Sequence, residues 1–253
     1  MPKMNFTSRN RTKKTIENVG FMEIKDINSN NVELYIYGDI VSSEWDKWTT
    51  EDTCPQDIID FFNSIDNNAN LTVYINSCGG DVFAGIGIYN ILKRHKGHIT
   101  GIVDGIAASI ASVILMACDD ITLSTGAQIM IHKPLTMAWG NADDFTAVIN
   151  QLNNCQKMIT DIYMTKVKED VTEDKITEAI NAETWMSANV ASDYFNINVN
   201  EDVEAVAACV SYMMDRFKNA PEGINTETVE DITARQQKDE AEEILSDLYL
   251  YGI

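Results

Sequence analysis

Histidine is scarce in this chain: His95, His98 and His132 are the three among 253 residues. So few imidazoles leave few candidates for a base that works near neutral pH. Cysteine is present but never paired in sequence. Cys54, Cys78, Cys118, Cys155 and Cys209 are scattered, with no CxxC. This excludes a CxxC metal or redox pattern, and the odd count predicts reduced thiols in a cytosolic protein. Basic charge is in deficit, with 19 Lys and Arg against 39 Asp and Glu and a net charge of −20. A nucleic-acid surface needs a basic field, so that partner is excluded. Long apolar runs are missing too. The longest weakly polar run, residues 105–117, is too short to span a bilayer, and residues 1–20 lack the apolar core of a secretory signal. No internal repeat or low-complexity tract is found.

What remains is a globular composition, 45% hydrophobic, long enough for one large or two small domains. Its charge is uneven. Residues 1–14 carry five bases and no acid, whereas residues 199–253 carry 13 acids against 4 bases. Such ends read as solvated tails or as docking arms for partner subunits. We therefore expect a flexible basic tail over residues 1–20, a folded body over 21–199 and an acidic, partly helical extension over 200–253. Helices are predicted there over 203–217 and 226–251.

Within the body, alternation predicts strands over 32–40, 71–76 and 99–104, with short ones at 120–123 and 128–131. Helices are expected over 55–66, 82–94, 107–117, 141–169 and 172–180. Residues 182–188 read as a loop entering a further helix. Strand and helix alternate, which implies an α/β layer fold with a largely parallel sheet. Ligands in such sheets gather beyond the carboxyl ends of the strands, where Gly79, Gly80 and Ser109 all fall.

The stretch VDGIAASIASVILMACDDITLSTGAQIMIHKP, residues 103–134, carries the chemistry. Ser109 stands among small residues where an apolar helix begins, and His132 closes a later apolar strand. A serine hydroxyl is a poor nucleophile until a base removes its proton. His95 and His98 lie in the charged connection KRHKGHI and read as surface residues, which leaves His132. Taken alone, His132 could be only a packed or capping residue. The Gly79–Gly80 pair lets a backbone N–H approach a carbonyl, although such pairs also make plain strand-to-helix turns. A second donor would be the N–H of Ile110, at the positive end of the helix. A nucleophile, a base and two oxyanion donors are the parts of an acyl-transfer site. The third member, an acid that orients the imidazole, has many candidates, and Glu183 in NAETWMSA has the most distinctive setting.

Three blocks together resemble a known family. YINSCGGDVFAGIGIYN is similar to the YINSPGG block of Clp protease proteolytic subunits. GIAASIAS is similar to their GxAASMxx nucleophile block, and IMIHKPL to their MIHQPL block. The resemblance covers residues 32–198, and it is narrower still to the Clp-related head-maturation (prohead) proteases of tailed phages. It implies a Clp-protease or crotonase-like α/β spiral of strand–strand–helix units with a long protruding handle helix around residues 141–169. It implies Ser109 as nucleophile, His132 as general base, and the backbones of Gly80 and Ile110 as oxyanion hole. Glu183 aligns with the family's Asp, one methylene longer, with Asn181 as a fallback. Residues 135–141 would form the strand that pairs with substrate, so Gly79, Leu135, Met137 and Ala138 are expected to bind it; a hydrophobic loop packed under the helix is the plainer alternative. Cys78 replaces a common proline and lacks the helix-start setting of a nucleophile.

The implied activity is a serine endopeptidase with no metal or other cofactor. It would work in the cytoplasm or inside a prohead, as a heptameric ring or stacked rings. The phage reading has capsid and scaffold proteins as partners; the alternative is an ATP-dependent Clp subunit served by an AAA+ unfoldase. YIYGDIVS, DVFAG and AETWMSA favour the phage group, and the extension would serve assembly or shell docking. An inactive structural subunit and a crotonase-like acyl-CoA enzyme are the other classes.

Overall fold

The computed structural model describes residues 3–10, 15–23, 31–204 and 217–221. Strands β1 (Lys3–Asn10) and β2 (Thr15–Glu23) pair antiparallel as a separate two-stranded ribbon, in the segment expected as a tail. The helices predicted over 226–251 and most of 203–217 lie outside the described residues.

A seven-stranded sheet forms the body. Strands β3 (Asn31–Ile40), β4 (Asn70–Gly80), β5 (Ile99–Ala108) and β6 (Asp120–Thr125) run parallel in that order, and β9 (Asn198–Glu204) closes the edge against β6. The body sheet therefore runs a few residues past the expected boundary at 199. Period-two alternation explains why these segments are strands. Val32, Leu34 and Ile36 of β3, like Leu71, Val73 and Ile75 of β4, are buried on one face. On the other face Tyr35 stacks on its register partner Tyr74, with ring centroids 4.8 Å apart.

Helices cover the buried face. Helix α1 (Pro55–Ser64) starts on a proline at N1, where the missing N–H costs nothing, and buries Ile58 and Phe61. Helix α2 (Val82–Lys93) is capped by Asp81, which accepts the Ala84 N–H at 2.7 Å. Helix α3 (Ile110–Leu115) is buried at every residue. Helix α4 (Ala142–Tyr163) is the long one, 22 residues. Its first half is exposed nearly all round, and Cys155, Ile159, Thr160 and Tyr163 anchor the rest. Helix α5 (Glu173–Ala182) leads to β8 (Thr184–Ser187) and α6 (Ala188–Ser192).

The decisive feature is that β5 changes partner midway. Thr100 to Val103 pair with β6, but Ile106 to Ala108 pair with β7 (Gln128–Ile131). This pairing holds the two alanines in the strand, so the helix expected from 107 begins at Ile110 instead. β8 then pairs antiparallel with β7, Ile131 facing Thr184, where a loop was expected. Register alone therefore brings the next residues, Ser109, His132 and Glu183, to one end of the sheet.

Candidate active site

Ser109 stands between β5 and α3 with φ 53° and ψ −126°. An L-residue at positive φ is strained by about 1–3 kcal/mol, and such strain persists only where the surroundings impose it. They do so here. The Ser109 N–H donates to the Met130 carbonyl at 2.8 Å, extending the β5–β7 ladder by one bond. Its carbonyl accepts from the Ser112 N–H at 3.1 Å and the Ser112 hydroxyl at 2.6 Å. Ser112 Oγ is in turn 2.7 Å from the hydroxyl of Tyr163, which is buried on α4. Burial raises the Tyr163 pKa, so this anchor stays protonated.

The strained turn points the hydroxyl at the imidazole: Ser109 Oγ lies 2.8 Å from His132 Nε2. With the ring neutral and its proton on Nδ1, the serine hydroxyl donates to Nε2, which is the arrangement needed to remove that proton. Burial pulls the His132 pKa below its ordinary 6.5, and the nearby Glu183 carboxylate partly offsets this. The ring is therefore a neutral base at pH 7.

Glu183 arrives by register opposite His132, in a left-handed conformation (φ 52°) that terminates α5. Its negative charge favours the protonated form of the imidazole. Among the described residues no hydrogen bond joins the two, and Glu183 Oε1 instead accepts the Asn219 N–H at 2.7 Å. Asn181, the fallback, faces Gln156 at 3.4 Å.

Gly79 and Gly80 end β4 beside the serine, with φ 95° and 148°. A Cβ on Gly79 would meet both the Ala108 carbonyl oxygen and Ser109 Cβ at 2.8 Å, and one on Gly80 would lie 2.0 Å from the Ile40 carbonyl oxygen. Only glycine fits so near the hydroxyl. Ile110, whose N–H was the other expected donor, opens α3 directly after Ser109. Cys78, just before the glycines, is buried and disulfide-bonded, a correction to the reduced thiol expected there. Cys54, Cys118 and Cys155 are free.

A cleft of about 1200 Å³ contains Ser109, His132 and Gly80, and Leu135, Met137 and Ala138 line it. Residues 135–139 have no regular structure in the single chain, unlike the strand expected there, and Met137 and Trp139 are 90% and 94% exposed. The opposite wall was not foreseen. It comes from the β3–α1 connection, with Trp45 and Trp48, and from Phe83. Asp52 organises that connection by accepting the N–H groups of Asp39, Trp48 and Thr49.

The other histidines lie elsewhere. His95 Nε2 is 2.7 Å from the Ala69 carbonyl, and His98 sits 2.9 Å from Asp120 and 3.6 Å from Asp119, acids the sequence reading overlooked. Among the described residues, Glu44, Cys54 and Asp57 bring potential ligand atoms together. Lys47 Nζ already fills that position, 2.7 Å from Asp57 and 3.3 Å from Glu44, and supplies the positive charge. No described helix is long and apolar enough to cross a membrane.

Sequence reasoning also missed Ser112, Tyr163, Phe217 and Asn219. The Ser-x-x-Ser spacing of Ser109 and Ser112 at a helix start carried a faint signal for the first. Nothing local marked the rest.

Comparison with known proteins gives a consistent answer. Residues 39–198 match the family described as Clp protease. The ATP-dependent Clp protease proteolytic subunit of Bacteroides thetaiotaomicron is 31% identical over 136 residues, covering 53% of this chain and 61% of that protein. Its counterpart in Bacteroides fragilis is 32% identical over 137 residues, 53% and 65% of the two chains. Subunit 1 of Salinibacter ruber is 28% identical over 126 residues, 49% and 53%. The chain thus spans less than two thirds of the length of these relatives.

Proposed function

Because the chain belongs to the Clp protease family, we propose that it is a serine endopeptidase in which Ser109 is the nucleophile and His132 the general base. The observation that carries this reading is the 2.8 Å approach of Ser109 Oγ to His132 Nε2. In the mechanism, Ser109 Oγ attacks the peptide carbonyl carbon while its proton passes to Nε2. The oxygen that becomes negative is received by the N–H groups of Gly80 and Ile110. The field of Glu183 stabilises the imidazolium. His132 then protonates the departing amine, leaving an acyl-enzyme, and afterwards takes a proton from the water that hydrolyses it. These steps use side chains and backbone alone.

Substrate lies along residues 135–138 as an added strand, which gives affinity through main-chain hydrogen bonds with little sequence preference. An unselective cleft calls for enclosure, so the subunits assemble as a heptameric ring or stacked rings, with α4 as the handle between rings. The names of the relatives favour an ATP-dependent Clp subunit; on that reading its partner is an AAA+ unfoldase and its place the cytoplasm. A phage head-maturation role, acting on capsid or scaffold proteins, is the second reading. It rests on YIYGDIVS, DVFAG and AETWMSA and on the chain beyond the family match.

Turnover of unfolded casein and of a short fluorogenic peptide tests the activity. Ser109→Ala is expected to lower both by about 10³-fold or more. Wild-type turnover in that variant would overturn the assignment. Stimulation of casein turnover by an ATP-fuelled unfoldase would separate the two settings.

A further inference from the structure

Beyond the segment that matches the family, the chain returns to the active site. From this we infer that Phe217 and Asn219 form a clamp built into the chain that positions His132 and Glu183 for the reaction proposed above, on which this inference rests.

Phe217 is 8% exposed. It packs in a small apolar cluster with Cys78, Ile106, Ala108 and Met130. Three of those residues adjoin the working parts: Cys78 precedes Gly79–Gly80, Ala108 precedes Ser109, and Met130 is two residues before His132. One side chain thus braces the glycine turn, the nucleophile turn and the histidine strand together. The same ring meets the imidazole edge-to-face, with centroids 5.3 Å apart and planes at 86°, and is itself held edge-on by Trp185 at 5.7 Å. The ring shields one side of His132 from water and limits its rotation.

Asn219 holds the acid. Its backbone N–H donates to Glu183 Oε1 at 2.7 Å, and its Nδ2 donates to the carbonyls of Ala182 at 2.9 Å and Glu183 at 3.3 Å. Helix α5 ends there on a residue at positive φ, and the last carbonyls of a helix need partners from outside it. Asn219 therefore fixes both the strained turn that carries Glu183 and one oxygen of its carboxylate. With Oε1 held, the distance at which the acid's field reaches His132 is set by this segment. The length of the Glu183 side chain gives the clamp its purpose, because a long, flexible carboxylate has many positions to exclude.

The test compares Phe217→Ala, Phe217→Leu, Asn219→Ala and Asn219→Pro with the wild type, without thiol reductant because Cys78 is disulfide-bonded. Two readouts are used: steady-state hydrolysis of a short fluorogenic peptide, and NMR titration of histidine labelled with ¹³C at Cε1, in samples whose fold is checked by circular dichroism. Phe217→Ala hydrates the imidazole, so the His132 midpoint moves up in pH and kcat falls by roughly 10²-fold with KM little changed. Phe217→Leu, which restores apolar cover, recovers most of both. Asn219→Pro, which removes the N–H to the carboxylate, lowers kcat more than Asn219→Ala, which keeps it. A folded Phe217→Ala protein with an unmoved His132 midpoint and wild-type kcat would overturn the clamp. So would equal effects of the two Asn219 variants. If the wild type fails to turn over peptide, the peptidase reading falls, and the His132 midpoint in Phe217→Ala still decides whether the ring shields the imidazole.

Discussion

On the mechanism proposed above, His132 sets the pH behaviour of the reaction. Its imidazole would have to be neutral to accept the Ser109 proton, and burial favours that neutral form. The acid limb of kcat/KM reports this ionisation in the free enzyme. Because the folded value lies below the ordinary 6.5, the limb is expected to have its midpoint below pH 6.5, with activity rising as pH increases through it. A midpoint above 6.5 would mean that the Glu183 field outweighs burial. Ser109 and His132 were legible in the sequence because each closes a distinctive local pattern: small residues before a helix, and an apolar strand before Lys133–Pro134. Glu183 was placed by its resemblance to a motif, and its geometry is subtler than expected, a field without a hydrogen bond. Phe217 and Asn219 were illegible. They reach the site across 85 and 36 residues of chain from His132 and Glu183, and no periodicity encodes such a contact.

At the scale of elements, the partner change of β5 explains the site. An alanine-rich segment favours helix, yet residues 107 and 108 are strand, because β7 offers a parallel ladder just where β6 leaves. Tertiary pairing overrides propensity and leaves Ser109 to absorb the turn. Antiparallel pairing with the other edge of β7 likewise made a strand of β8, which the sequence suggested as a loop. Strand lengths were therefore underestimated: β4 and β5 run on to Gly80 and Ala108, past the expected ends at 76 and 104, and of the strands only β3 to β7 were anticipated, whereas β1, β2, β8 and β9 were not. The closeness of β4 and β5 at their ends makes a sharp prediction. Gly79→Ala places a methyl against Ala108 and Ser109 in a backbone that L-residues avoid. Loss of about 1–3 kcal/mol is expected in chemical denaturation, together with a drop in peptide turnover far larger than that stability change implies at 25 °C. Wild-type turnover with unchanged stability would show that the turn relaxes freely.

At the scale of the whole molecule, the described residues expose large apolar side chains on the segment that leads from the cleft into α4. Trp139, Met137, Leu135, Phe145 and Ile149 are exposed along the cleft rim and the free half of α4. Patches of this kind mark contacts between molecules, and assembly into a ring or stacked rings would cover them. Exchanging Trp139 and Ile149 for glutamate should leave the subunit folded but shift its mass in analytical ultracentrifugation from the assembly towards smaller species. An unchanged sedimentation profile would assign the patch to something other than self-association. The α/β class and the long helix could be read before any coordinates, since both are written in local periodicity. Which surfaces meet, and which segment returns to the site, could not.

The central claim is that the Ser109 hydroxyl is activated by His132. Reaction with a fluorophosphonate, followed by peptide mapping, measures this directly, because the reagent modifies only an activated serine. The expected result is one adduct per subunit, on Ser109, lost in His132→Ala. Absence of any adduct in the folded wild type, or equal labelling without the imidazole, would contradict it.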